Sequence, residues 1–108
     1  MSETALATDE EARRKIIIRN ERGLHARAAG KLVRLAAQFE ADVWVMKDDM
    51  VVGAQSIMGL MMLSAGPGST IELWVRGPDA ATAMAELVDL IETRGFDEDI
   101  NGSKNLPA

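Results

Sequence analysis

The chain has a single histidine, His25, and an arginine, Arg27, stands two positions after it. A neutral imidazole nitrogen is a nucleophile, and the planar guanidinium of arginine is shaped to grip phosphate or carboxylate. Both lie in Asn20-Glu21-Arg22-Gly23-Leu24-His25-Ala26-Arg27, the passage from an apolar run into a helix-like one. Ile16, Ile17 and Ile18 read as strand, because consecutive β-branched residues lose less freedom there than in a helix. Gly23 permits a sharp turn, and a period-3.6 pattern begins just beyond His25. His25 is thereby placed at a helix N-terminus, where unpaired backbone N–H groups and the helix dipole favour an anion. Imidazole, amide donors and arginine together suit a phosphoryl acceptor: the ring attacks, and the donors hold the transferred dianion. The same spacing also fits a capping or surface histidine beside a solvated arginine.

The elements that must position this stretch follow in order. Ala29, Leu32, Val33, Ala36 and Phe39 recur at helical spacing and predict one buried stripe, with Lys31, Arg34 and Gln38 elsewhere on the circumference. Residues 42–46 alternate, Val43 and Val45 on one face and Trp44 and Met46 on the other. Lys47-Asp48-Asp49 turns the chain back into Met50-Val51-Val52, which makes a hairpin. Ser56 stands at the N-cap position of a short run, Ile57 to Leu63, apolar nearly all the way round except at Gly59. Either that helix leaves an apolar patch exposed, or it is sandwiched as core. Residues 70–76 form the clearest strand, with Ile71, Leu73 and Val75 facing inward and Glu72, Trp74 and Arg76 outward. Gly77-Pro78 stops it, and Asp79 is expected to cap a last helix with the stripe Ala80, Ala83, Met84, Leu87, Val88 and Ile91. Arg94-Gly95 reads as the end of that helix, and Phe96 as folding back onto it.

The order β-α-β-β-α-β-α predicts an α+β fold: a two-layer open-faced sandwich, its four-stranded antiparallel sheet covered on one face by three helices. Residues 1–14 are expected to be a mobile extension, since Thr8-Asp9-Glu10-Glu11 has capping-box spacing but no apolar face behind it. Residues 15–98 make the domain, and residues 99–108 a frayed tail.

Composition narrows the chemistry. The 108 residues include no cysteine, which excludes disulfides, thiolate metal sites and thiol catalysis, and one histidine argues against an imidazole-rich metal centre. A net charge of −5 argues against nucleic acid as partner, because such binders carry a basic face. No apolar run reaches membrane-spanning length and no signal-peptide stretch opens the sequence, so a cytoplasmic protein without membrane contact is expected.

Three stretches fall in the order and at the separation found in one family: Gly-Leu-His-Ala-Arg-Ala-Ala at 23–29, Ser-Ile-Met-Gly-Leu-Met at 56–61, and Gly-Pro-Gly-Ser-Thr-Ile at 66–71. Over residues 15–98 the chain resembles HPr, the histidine phosphocarrier of bacterial phosphotransferase systems. The resemblance implies that His25 accepts a phosphoryl group from an enzyme I-type donor and passes it to an enzyme IIA-type acceptor, with Arg27 steadying the phosphate. It implies a partner-binding patch of Ile57, Met58 and Met61 with Leu24 at its edge, and Arg34 as a cation facing acidic partners. Ser56 looks like the serine that a dedicated HPr kinase/phosphorylase modifies in some members. The family's sheet order makes the strands of Trp44 and Trp74 neighbours. No cofactor is implied, and the protein is expected to act as a monomer. One departure is visible: Ala28 stands where the family usually has proline.

Such a carrier is a substrate of two transferases and not an enzyme. Two other classes compete with it. A small hydrolase needs a water-activating partner for His25, and the sequence offers no second acid or base near it. An acidic regulatory module would bind partners through Met58, Met61 and Met62 without chemistry.

Overall fold

Residues 10–98 are described by the structure, a computed structural model, and they begin in a strand. All of β1 (Glu10–Ile17) pairs antiparallel with β4 (Thr70–Gly77), from Glu10 opposite Gly77 to Ile17 opposite Thr70. The strand therefore takes in residues 10–14, which the sequence assigned to a mobile extension. Residues 1–9 and the tail 99–108 lie outside the described residues. Residues 10–14 are held mainly by cross-strand pairing on the face away from the core, and only Ala12 among them packs against it, so they carry little apolar periodicity. Arg13 pairs with Glu72 at 3.3 Å and lies 5.0 Å from the Trp74 ring centroid, while Trp74 Nε1 donates to Glu11.

After β1 come α1 (Ala26–Ala36), β2 (Asp42–Lys47), β3 (Met50–Gly53), α2 (Ile57–Met62), β4 and α3 (Ala80–Val88). The last helix widens into a π turn, Asp89–Thr93, and a 3₁₀ turn, Gly95–Asp97. The sheet order is β1-β4-β2-β3, all antiparallel, as expected of the two-layer sandwich. Period-2 alternation puts Val43, Val45, Ile71, Leu73 and Val75 on the buried face. Against them pack Ala29 and Leu32 of α1, Leu60 of α2, and Ala83 and Leu87 of α3. Asp79 occupies the N-cap position of α3 but makes no capping bond. Its carboxylate instead accepts from the Glu40 N–H at 2.8 Å, closing the α1–β2 loop onto the end of β4.

On the face without helices Trp44 and Trp74 stand directly opposite each other, ring centroids 4.8 Å apart and planes tilted by 36°. Aromatic pairs of this kind contribute about 0.5–1.5 kcal/mol beyond the area they bury. In a double-mutant cycle, Trp44→Thr and Trp74→Thr should each lower stability, and the pair should lose less than the sum by roughly 0.5–1 kcal/mol. Strictly additive losses would mean that the rings do not support each other.

Candidate functional site

The histidine is carried by a clamped turn. Ile18 N–H donates to Ser69 O and Gly68 N–H to Ile18 O, both at 2.9 Å, and Leu24 N–H donates to Ala65 O at 2.9 Å. Gly23 has φ of +67°, and a Cβ there would lie 2.6 Å from Ala65 O, so only glycine lets the turn press against residues 65–66. The clamp delivers His25 in extended backbone as the N-cap of α1. Its ring does the capping: Arg27 N–H donates to Nδ1 at 3.3 Å. A nitrogen that accepts cannot carry the proton, so the neutral ring holds it on Nε2.

Nε2 meets a carboxylate. Glu98 Oε2 lies 2.6 Å away, and the two side chains are only 18% and 15% exposed. This corrects the expectation that no acid or base stands near His25. Glu98 Oε1 accepts from Asn20 Nδ2 at 2.9 Å, and the same Nδ2 donates to Gly23 O at 2.9 Å. Burial alone pushes the Glu98 carboxyl up. The hydrogen bonds from Asn20 and His25 outweigh it, helped by the electrostatic pull of His25 and of the Lys31 charge, and hold it below the usual carboxylate range. A carboxyl lowered on folding adds stability above its unfolded value, and that stability is lost as pH falls through the lowered one.

The chain reaches this point by a reversal that the sequence only hinted at. Phe96 is fully buried, as its folding back requires, and it holds a left-handed backbone with φ of +58°. Lys31 Nζ donates to its carbonyl at 2.7 Å. Glycine followed by a large apolar residue signals such a turn, but nothing in the sequence says that the acid after it lands on a histidine 73 positions away.

The Arg27 side chain is exposed and makes no ion pair among the described residues. With Arg22, Glu21 and Glu98 it lines a cavity beside His25. Arg22 was not singled out from the sequence. On α2, Ser56 Oγ accepts from Gly59 N–H at 2.9 Å and so caps the helix as expected. Leu60 points inward, while Ile57, Met58, Met61 and Met62 are 40%, 72%, 42% and 65% exposed, which decides against a sandwiched helix. At Gly30 of α1 a Cβ would lie 3.3 Å from an Arg34 guanidinium nitrogen and 3.8 Å, an ordinary contact distance, from Ile57 Cδ1, so Arg34 and Ile57 meet over this glycine. Arg34 is exposed, so a cation adjoins the apolar patch. Leu24, expected at the edge of that patch, is instead core, 5% exposed, because the clamp on Ala65 turns it inward. Among the described residues no cluster of metal-ligating side chains is present, and no helix is long and apolar enough to cross a membrane.

Residues 12–93 match the family model described as the PTS HPr component phosphorylation site. The chain belongs to the HPr family. Phosphocarrier protein HPr of Neisseria meningitidis serogroup A is 52% identical over 79 residues, which cover 73% of this chain and 89% of that protein. Phosphocarrier protein NPr of Shewanella violacea is 41% identical over 85 residues, 79% of this chain and 92% of that one. The crystal structure of an HPr from Thermoanaerobacter tengcongensis superposes with a TM-score of 0.77 at 41% identity, covering 82% of this chain and 98% of the other. HPr proteins are phosphocarriers of the phosphotransferase system and not catalysts. In this HPr-family chain Ala28, in the usual proline position, is fully buried as the third residue of α1. The helix start that proline would preset is held here by the His25 ring and the Gly23 clamp.

Proposed function

We propose that His25 accepts a phosphoryl group at Nδ1 from an enzyme I-type donor and surrenders it to an enzyme IIA-type acceptor. The observation that carries this is the state of the ring. One nitrogen is tied to Glu98, and the other accepts the Arg27 N–H at the start of α1, beside an arginine side chain that makes no ion pair among the described residues. The attacking lone pair and the donors for the arriving dianion thus lie on one side of the ring. A carboxylate–histidine pair is also what a hydrolase uses as a general base, but there the histidine nitrogen meets a hydroxyl or water. Here Nδ1 meets a backbone N–H. Incubation with phosphoenolpyruvate and the donor should give one acid-labile, alkali-stable phosphoryl group that persists in water and moves to the acceptor. Rapid release of free phosphate would favour the hydrolase reading instead.

Ile57, Met58 and Met61, with Arg34 beside them, are the proposed docking surface for both partners, which a monomer engages one at a time. Met58→Glu should weaken binding to donor and acceptor about tenfold or more while leaving Tm within a few degrees, since Met58 is the most exposed of the group. A large loss of stability with docking intact would make Met58 a structural residue. Ser56 is proposed as the target of an HPr kinase/phosphorylase. Phosphate there suits its own helix end but sets negative charge against the docking surface, and Ser56→Asp should act in the same direction as Met58→Glu.

A further inference from the structure

The contact between Glu98 and His25 joins the two ends of the domain, and neither the turn nor the helix requires it. We propose that Glu98 is a positioning residue for phosphoryl transfer: it holds His25 in the tautomer with its proton on Nε2 and offsets the positive charge that the ring gains at the N–P bond. The proposal rests on the carrier reading above.

The carboxylate is fixed from three directions. Oε2 takes the His25 Nε2–H at 2.6 Å, and Oε1 takes Asn20 Nδ2 at 2.9 Å. Asn20 is fully buried, and its Nδ2 serves two acceptors, Glu98 Oε1 and Gly23 O, while its Oδ1 has no partner among the described residues. Turning the amide over would aim that oxygen at two acceptors, so its orientation is set and the carboxylate is held from behind. The third constraint is the backbone. Gly95, Phe96 and Asp97 have φ of +55°, +58° and +62° in succession, a left-handed run that the buried Phe96 ring and Lys31 keep in place. Two non-glycine residues adopt a conformation that L side chains rarely take, and the result is a carboxylate aimed at the ring.

The chemistry gives that aim a use. The Nδ1 lone pair forms the bond to phosphorus as the bond between phosphorus and the donor protein breaks, and that electron pair leaves with the donor group. No proton leaves the ring. With phosphorus on one nitrogen and hydrogen on the other, the imidazole becomes a cation, and the Glu98 carboxylate already touches its N–H. Arg27 N–H, which now reaches Nδ1, is placed to move onto a phosphoryl oxygen. When the group departs the charge disappears again, so the strength of the Glu98 contact sets the balance between accepting and giving.

Glu98→Gln keeps the size of the side chain and an acceptor for Asn20, removes the charge, and sets an NH2 donor against His25 Nε2 where the carboxylate oxygen stood. Two measurements decide its effect: the ¹⁵N spectrum of the His25 ring in the unphosphorylated protein, and the rate and equilibrium of phosphoryl uptake from the phosphorylated donor. The parent should show the Nε2–H tautomer, and the variant a mixture with Nδ1–H. Uptake should slow about 10- to 100-fold with the equilibrium displaced toward the donor, by analogy with the range found when the hydrogen-bond partner of a metal-ligating histidine is removed. Glu98→Asp, a charge one methylene further back, should recover part of both. A Glu98→Gln protein with the parental ring spectrum and parental uptake would overturn the proposal. If the parent itself took up no phosphoryl group, the carrier reading would fall, and the ring spectrum alone would decide whether Glu98 holds the proton.

Discussion

His25→Ala should carry no acid-labile phosphate after incubation with phosphoenolpyruvate and an enzyme I-type donor, a loss beyond detection rather than a slowing. No other imidazole exists in the chain to take over. The substitution also removes the cap on α1, because the ring accepts the Arg27 N–H, and a lost cap costs about 1 kcal/mol. For a domain of this size that lowers Tm by several degrees, so a second variant separates folding from chemistry. Asparagine is among the best N-caps and is no phosphoryl acceptor. His25→Asn should therefore melt closer to the parent than His25→Ala and be equally unlabelled. Label retained in either variant would place the acceptor elsewhere.

Arg27→Ala should fold as the parent does and transfer about 10²–10³-fold more slowly, the usual effect of deleting one donor that acts on transition-state charge. Folding is spared because the side chain is exposed and unpaired among the described residues, and alanine is the best helix former. The Arg27 backbone N–H, which reaches His25 Nδ1, survives the substitution, so the measurement isolates the guanidinium. Arg27→Lys keeps the charge but loses the planar fork, and should fall between the two. Transfer at the parental rate in the alanine variant would make Arg27 an ordinary surface charge, and Arg22 across the cavity the next residue to replace.

What the sequence showed and what it hid divide along physical lines. Features written in short-range periodicity were legible. The alternation of β4, the stripe of α1, the Ser56 cap and the outward placing of both tryptophans each follow from residues close together in the chain. Features made by long-range pairing were not. Residues 10–14 join the sheet through partners on β4, and Asp79 spends its carboxylate on the Glu40 amide instead of on its own helix. Leu24 reads as surface until Ala65 is seen to turn it inward. The half of the site that periodicity places, His25 and Arg27 at a helix start, was found, and Glu98 and Asn20, which close it from the far end of the domain, were missed.

The stacked tryptophans have a use in the laboratory that is independent of the chemistry. Two indoles 4.8 Å apart couple their electronic transitions, and this pair lies across the sheet from the helix layer that carries His25. They are also the only two tryptophans, and the chain has no tyrosine, so its near-ultraviolet circular dichroism comes almost wholly from them. An exciton couplet between their strong far-ultraviolet transitions, read beside that near-ultraviolet signal, would report whether β2 and β4 are zipped. Phosphoryl traffic on the opposite face would leave the couplet unchanged, so folding and function can be followed in one sample by two signals that do not mix.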